Sequence, residues 1–563
     1  MSRRTWWLLA AAIAGLALAA SANSVVNGFA YDDVYLIQRS TRMHTLDGLL
    51  REFARTYWGG ESGGDGYRPL TIIAFRLEWA LGGGSPLPFH VVNIALHLAG
   101  AVTVFWLMTA VLPRAAAWIA GALYAVHPVH TEAIANVVGQ SELAVALSLA
   151  LGTGLYLHGR NAGSVSRGRW AAIVAVYIAG MLFKEHAIVL PAILLLAEAT
   201  IVRDRTPWRQ RVAALRPAYL VLAAVGLGYL WARSAVVVAG IGGFKPYVVF
   251  QALQLSTGNR VLTMIGLAPE WVRLLLWPAR LMTEYAPLTI EVAQGVSASQ
   301  LPGLLVLLGT LGLAVSCWRR SPAATFGIGF LALSLLPASN FLIPAGFIIA
   351  ERTLLSPSIG AMIAVGSAVP FVYARIEHSA LARRLGAALV LALLAGGITR
   401  STSRNRAWFD NETLFRQAIV DSPDSYRAHF MLGLHLFQKQ WLTEGERHFR
   451  ESIRLFPHDA LVAYAMAEQY RANGRCQAAV PYYRALFALV PEADAGHTGF
   501  AICLLETGQW REARAEALQA IRSGGRVAIA RAIIAAAKAA MESVDVHGTG
   551  DIKAAQPASG AKP

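Results

Sequence analysis

The chain has 563 residues, 55% of them hydrophobic and 15% charged. A soluble domain carries about a quarter charged residues, so the composition excludes a wholly water-soluble globule and indicates a membrane protein. The net charge of +15 comes mainly from arginines in short gaps between apolar runs, an orientation signal that argues against a nucleic-acid partner.

Met-Ser-Arg-Arg opens the chain, and an apolar run follows from Trp6 to about Ala20. A cleaved signal peptide is one reading, since Ala20-Ser21-Ala22 comes close to a cleavage pattern. A retained first span is preferred because the side assignments work with it. A span needs about 20 apolar residues. Candidates run over 5–24, 87–110, 115–130, 141–158, 170–186, 187–202, 216–238, 301–318, 323–346, 354–374 and 386–399. Pro269, Glu270 and Arg273 interrupt the run 261–278, which reads as re-entrant or interfacial.

About eleven spans result. With Arg3 and Arg4 inside, alternation brings the clusters Arg160/Arg167/Arg169, Arg203/Arg205/Arg209/Arg211, Arg319/Arg320 and Arg375/Arg383/Arg384 to the cytoplasmic side. Segments 25–86 and 239–300 then face outward, as does everything after residue 400.

That last part carries a repeat. Pro423, Pro457 and Pro491 are spaced by 34 residues, the period of tetratricopeptide (TPR) hairpins. Leu432-Gly433, Gly445 and Phe449 fit one unit, and Met466-Ala467, Tyr470, Ala479 and Tyr483 the next. A third begins near Asp494 with Ala501 and Ala513, and a half unit (Trp408, Phe415, Ala418) precedes Pro423. The expected class is all-α: a polytopic helical bundle over 1–400, an extracytoplasmic α-solenoid over 401–543, and a disordered tail over 544–563. Cys317 lies in an apolar run, whereas Cys476 and Cys503 could pair outside the cytosol; spacing alone does not decide it.

Polar residues gather where the assigned topology has its outer face. Asp32 and Asp33 follow the first span, where one carboxylate can act as a general base and the other can orient it or hold a divalent metal. An acidic turn or helix cap is the plainer reading. His90, Asn93 and His97 share one face of a helix, as site wall or interhelical hydrogen bonding. His127, His130 and Glu132 have metal-ligand residue types without a metal spacing, and read as a site wall. Lys184 beside Glu185 is a structural ion pair or a phosphate ligand. Arg352 beside Glu351, and Arg68 in Tyr67-Arg68-Pro69, can meet a phosphate or an internal carboxylate. Structural accidents should scatter over both faces, so one outer cavity holding carboxylates and cations is the economical account.

Several stretches together resemble the transmembrane-and-TPR (TMTC-type) O-mannosyltransferases of the GT-C glycosyltransferase class. They are Phe29-Ala30-Tyr31-Asp32-Asp33, Tyr67-Arg68-Pro69-Leu70-Thr71, His90-Val91-Val92-Asn93-Ile94-Ala95-Leu96-His97 and Ala125-Val126-His127-Pro128-Val129-His130-Thr131-Glu132-Ala133. Val138-Gly139-Gln140-Ser141-Glu142, Lys184-Glu185-His186, Pro337-Ala338-Ser339-Asn340 and Glu351-Arg352 follow in order.

The resemblance implies a GT-C fold and an inverting transfer of a hexose, expected to be mannose, from a polyprenyl-phosphate sugar to a Ser or Thr hydroxyl. It implies Asp32 as base, Asp33 as support and as the metal ligand if there is one, and Arg352, Arg68 and Lys184 toward the donor phosphate. His90, Asn93, His127, His130, Glu132, Glu185 and Glu351 would line the cavity. The TPR groove would hold a protein or peptide acceptor, and the Ala/Arg bias suggests a bacterial inner membrane with the repeats periplasmic. The array is short for this family, and 239–300 matches its outer domain only loosely. A transporter or flippase for a lipid-linked sugar and a non-enzymatic membrane-anchored TPR adaptor are the competing readings. The first predicts broken mid-membrane helices and inverted repeats, for which the sequence shows no convincing symmetry. An anchor needs one span and no intramembrane histidines.

Overall fold

The computed structural model describes residues 2–59, 66–237, 250, 253–491, 493, 496–522 and 527–548. Every regular element among them is helical. The chain divides into two compact units, Met1–Asp424 and Ser425–Pro563.

The first unit begins with α1 (Arg3–Ser21), α2 (Pro69–Gly82), α3 (Leu87–Thr109), α4 (Arg114–Ala125), α5 (Thr131–Ala135) and α6 (Gln140–Asn161). Next come α7 (Arg167–Phe183), α8 (Leu190–Thr200), α9 (Trp208–Val236), α10 (Thr257–Gly266) and α11 (Ala268–Leu276). The unit ends with α12 (Leu301–Arg320), α13 (Pro322–Leu335), α14 (Leu355–Ile376), α15 (Ala380–Ala407) and α16 (Asn411–Asp421). Proline occupies the first turn of α2, α3, α8, α11, α12 and α13, where its missing N–H costs nothing. Ser2 and Ser166 cap α1 and α7 by accepting from the Thr5 and Arg169 amides.

Among the described residues seven helices, flanking turns included, are long and apolar enough to cross a membrane: Arg3–Val26, Leu87–Thr109, Val137–Asn161, Trp208–Val236, Ala298–Arg320, Glu351–Ile376 and Ala380–Ala407. The sequence suggested about eleven. The remaining four apolar runs form α4, α7, α8 and α13, of 12, 17, 11 and 14 residues. Each meets a break at the end where the polar residues cluster: His127-Pro128 after α4, extended Lys184 between α7 and α8, and Leu336-Pro337 after α13. Those breaks convert helix into short 3₁₀ turns that carry His130, Glu185 and the Pro337 loop. The run 261–278 forms two short amphipathic helices, α10 and α11.

Helix α3 packs on α1, α4 and α6, and α13 packs on α14. At that second contact a Cβ on Gly327 would lie 2.6 Å from the Gly360 carbonyl oxygen, and a Cβ on Gly360 would lie 2.3 Å from that of Gly327. Only glycine permits this approach, and close backbone packing of this kind holds helices together where lipid removes the hydrophobic drive. Leucines along α12 and α15, including Leu305, Leu311, Leu385 and Leu391, are exposed, as lipid-facing residues would be.

The second unit is described by itself. It contains α17 (Tyr426–Gln438), α18 (Leu442–Leu455), α19 (Ala460–Ala472), α20 (Cys476–Leu489), α21 (His497–Glu506), α22 (Trp510–Arg522) and α23 (Val527–Gly548). The first six pair as three hairpins. The repeat positions Leu432, Phe449, Met466, Ala467, Ala479, Tyr483, Ala501 and Ala513 are all buried. Ser425 and Asp459 cap α17 and α19. Cys476 and Cys503 form a disulfide between α20 and α21. The half repeat before Pro423 is α16, in the first unit. Of the expected disordered tail, 544–548 continue α23, and 549–563 lie outside the described residues, as do Asp494 and 239–249.

Candidate active site

Asp32 and Asp33 leave α1 through a short 3₁₀ turn (Ala22–Val26) and an extended stretch. The end of α15 and the start of α16 bracket this stretch. Asn23 and Asn27 donate to the Thr402 and Asn405 carbonyls, and the Gly28 amide donates to the Phe409 carbonyl at 2.8 Å. Tyr31, just before the acidic pair, has φ of 59°, a strained conformation for a non-glycine residue. Its amide donates to Asn411 Oδ1 at 2.6 Å, and its hydroxyl donates to Glu284.

The two carboxylates have different surroundings. Asp33 is fully buried and accepts from the amides of Val138 (2.9 Å), Val137 (3.1 Å) and Ala30 (3.4 Å). Burial pushes its carboxyl up to about 7, against the pull of those three amides; the neighbouring Asp32 charge adds a little. Asp32 is half-buried and within electrostatic range of Asp33, Tyr57 and Arg352. Both oxygens of Asp33 thus accept from backbone N–H groups. No group of three or more His, Cys, Asp or Glu among the described residues is placed to hold a metal ion.

Each expected cation sits beside a carboxylate that its sequence neighbours did not reveal. Arg68, at the start of α2, forms a two-point pair with Glu185 at 2.8 and 3.1 Å. Lys184 turns from Glu185 to Glu142 on α6, at 2.5 Å, and His186 lies 3.5 Å from the same carboxylate. Arg352 pairs with Glu132 through its guanidinium, and its backbone amide donates to the same carboxylate at 2.9 Å. Glu351 points elsewhere, accepting from the Met282 amide (2.5 Å) and the Tyr285 hydroxyl (2.8 Å). The structural pair in the Lys-Glu-His stretch is therefore crossed rather than local, because successive residues of the extended break at Lys184 point to opposite sides.

Arg68 and Arg352 keep 18% of their side-chain surface exposed, against 6% for Lys184. Tyr57 ties the pieces together. The Arg68 guanidinium lies 4.8 Å from its ring centre, and burial raises its phenol well above the usual range while Arg68, Asp32, Asp33 and Arg352 all act on it. Acidic pair and guanidinium groups thus share one neighbourhood.

The polar stripe of α3 has structural work. His90 Nε2 lies 3.3 Å from the Gly28 carbonyl oxygen, and Asn93 donates to the carbonyls of Ile134 and Asn136. His97 Nε2 lies 3.0 Å from the Ala125 carbonyl oxygen. All three are buried and pin the acidic loop and the 125–137 turn to α3. His127 Nε2 meets the Leu275 carbonyl at 3.0 Å, and His130 Nε2 donates to Ser358 Oγ at 2.8 Å. Sequence reading passed over Glu142, Tyr57 and Glu284 as site residues. A carboxylate in the first turn of an apolar span was the available signal for Glu142, since such a group must find a cation.

Comparison with known proteins adds the following. A tetratricopeptide-repeat family model matches residues 412–460 and 464–526. The mouse (Mus musculus) protein O-mannosyl-transferase TMTC3 is 26% identical over 503 residues, covering 84% of this chain and 54% of the relative. Drosophila melanogaster Tmtc3 is 26% identical over 547 residues, covering 84% and 58%. Human (Homo sapiens) TMTC4 is 26% identical over 488 residues, covering 78% and 65%. The chain thus spans a little over half the length of the first two relatives.

Proposed function

We propose that this chain, which resembles the TMTC-type protein O-mannosyltransferases over most of its length, transfers mannose from a polyprenyl-phosphate carrier to a Ser or Thr hydroxyl of a protein at the outer membrane face. The observation that carries the reading is the half-buried Asp32 within electrostatic range of the pre-paired Arg352, with the pre-paired Arg68 reached through Tyr57, which both Asp32 and Arg68 act on. In the proposed reaction Asp32 takes the hydroxyl proton as the acceptor oxygen attacks the anomeric carbon. The bond from that carbon to the phosphate oxygen breaks, its electron pair leaves on the phosphate, and the sugar configuration inverts. Arg68 gives Nε and Nη2 to Glu185, which leaves its Nη1 hydrogens for the phosphate. Arg352, within electrostatic range of Asp32, is the second cation for the phosphate. Held in place beforehand by carboxylates, both cations stabilise the charge that develops as the bond breaks. Lys184, more deeply buried on Glu142, keeps the 184–186 break in position.

The TPR hairpins are proposed to present the acceptor protein, and the disulfide in them supports a placement outside the cytosol, where disulfides persist. A bilayer passage for all eleven apolar runs and a bacterial inner membrane belong to the same proposal, as does the division at residue 400.

The test is transfer of label from a radiolabelled polyprenyl-phosphate mannose to a protein acceptor by the purified chain. Asp32→Asn is expected to lower transfer by about 10²–10⁴-fold while donor binding persists. Donor binding with no transfer by the wild type, and no difference in the Asn variant, would overturn the enzyme reading in favour of transport.

A further inference from the structure

A second cavity lies at the far end of the bundle. With a volume of about 750 Å³, it is lined where α3 and α6 end, where α8 gives way to α9, and where α12 turns into α13. The candidate active site sits at the opposite ends of these helices: Asp33 holds the residues that lead into α6, and Arg352 lies in the turn that leads into α14. The 22 residues of α6 span roughly 33 Å, about a hydrocarbon core's thickness. The cavity therefore opens at the other membrane face from the candidate active site.

Its lining is amphipathic. Leu112, Pro322 and Phe371 supply apolar wall, and Phe371, 52% exposed, stands at the edge among other exposed apolar side chains of α14. Arg160, Arg203 and Arg205 supply charge. Arg160 is committed, donating to buried Glu198 at 2.9 Å and to Asp204 at 2.7 Å. Glu198 also takes Arg211, so two carboxylates answer two of the four arginines. Arg203 and Arg205 make no ion pair among the described residues and are exposed. A positive excess against an apolar wall at a membrane surface suits an amphiphile with an anionic head.

We propose that this cavity binds the phosphate head of an anionic membrane lipid, with Arg203 and Arg205 as its ligands and the Pro322–Phe371 side against its glycerol and first methylenes. Each basic residue near a membrane surface contributes about 1 kcal/mol toward anionic lipid. Loss of both arginines should therefore weaken retention roughly 10- to 30-fold.

The experiment uses the full chain in detergent, incubated with phosphatidylglycerol or phosphatidylcholine and read by native mass spectrometry. The wild type is expected to keep phosphatidylglycerol selectively, and the R203Q/R205Q variant to lose it with an unchanged melting temperature, since neither side chain makes an ion pair among the described residues. Inorganic phosphate at millimolar concentration distinguishes the sources of the anion. Displacement of the lipid would show that the head group alone is read; resistance would show that the apolar wall contributes. Equal retention of both lipids, or equal retention of phosphatidylglycerol by wild type and variant, would overturn the proposal.

Discussion

Asp33 shows what a single side chain can carry. Its carboxyl is buried against the amides of Val137 and Val138, and burial pushes it up to about 7 from an ordinary 3.8. The native chain then holds a proton that the unfolded chain has released between pH of about 4 and about 7. Through that window this residue's contribution to stability falls as pH rises, and above it the carboxylate is fully charged. Melting temperatures in detergent should show this slope in the wild type and a flatter profile in Asp33→Asn. An identical slope in both would remove Asp33 as the titrating group. Asp32 and Asp33 were legible as an acidic pair; the division of labour between them was not, because it depends on amides about 105 residues away in sequence.

At the scale of elements, the loop before α2 is built around Glu52, which is fully buried and pairs with Arg42 and with Arg76 at 2.6 Å. Arg76 is itself 2% exposed. Glu52→Ala strands that guanidinium and should cost roughly 3–5 kcal/mol; the reading is hydrogen exchange over 41–54, which should rise there before anywhere else in the first unit. In the repeats, a Cβ on Gly445 would sit 2.5 Å from the Phe437 ring and 3.1 Å from the Gly433 carbonyl oxygen. Gly445→Ala should push α17 and α18 apart at a cost of about 1–3 kcal/mol. A melting temperature equal to wild type would show that the helices separate freely. Both glycines were visible from the 34-residue period, since the repeat template places small residues where its helices cross. The Glu52 cluster was not, as three residues at 42, 52 and 76 carry no period.

For the molecule as a whole, the disulfide gives the most direct check of sidedness. If the repeats lie outside the cytosol, a membrane-impermeant maleimide applied to intact cells should label Cys476 and Cys503 only after reduction. Cys317, partly buried on a membrane helix, should stay unlabelled throughout. Labelling without reductant would leave the pair unformed, and no labelling even after reduction would count against a placement outside the cytosol.

Composition and periodicity by themselves determined the helical class, the membrane character and the repeat array, because each depends on the local order of apolar and small residues. They also located the acidic pair and the basic residues by type. Which apolar runs become full-length helices was decided by the breaks at His127-Pro128, Lys184 and Leu336-Pro337; proline marks two of them in the sequence, whereas the extended turn at Lys184 carries no such local signal. Polar groups then pair across the bundle, as Arg68 with Glu185, Lys184 with Glu142 and Arg352 with Glu132. A charge in a low-dielectric bundle must be paired, but the sequence states only that a partner is needed. Which carboxylate answers depends on how the helices stack, and no local pattern records it.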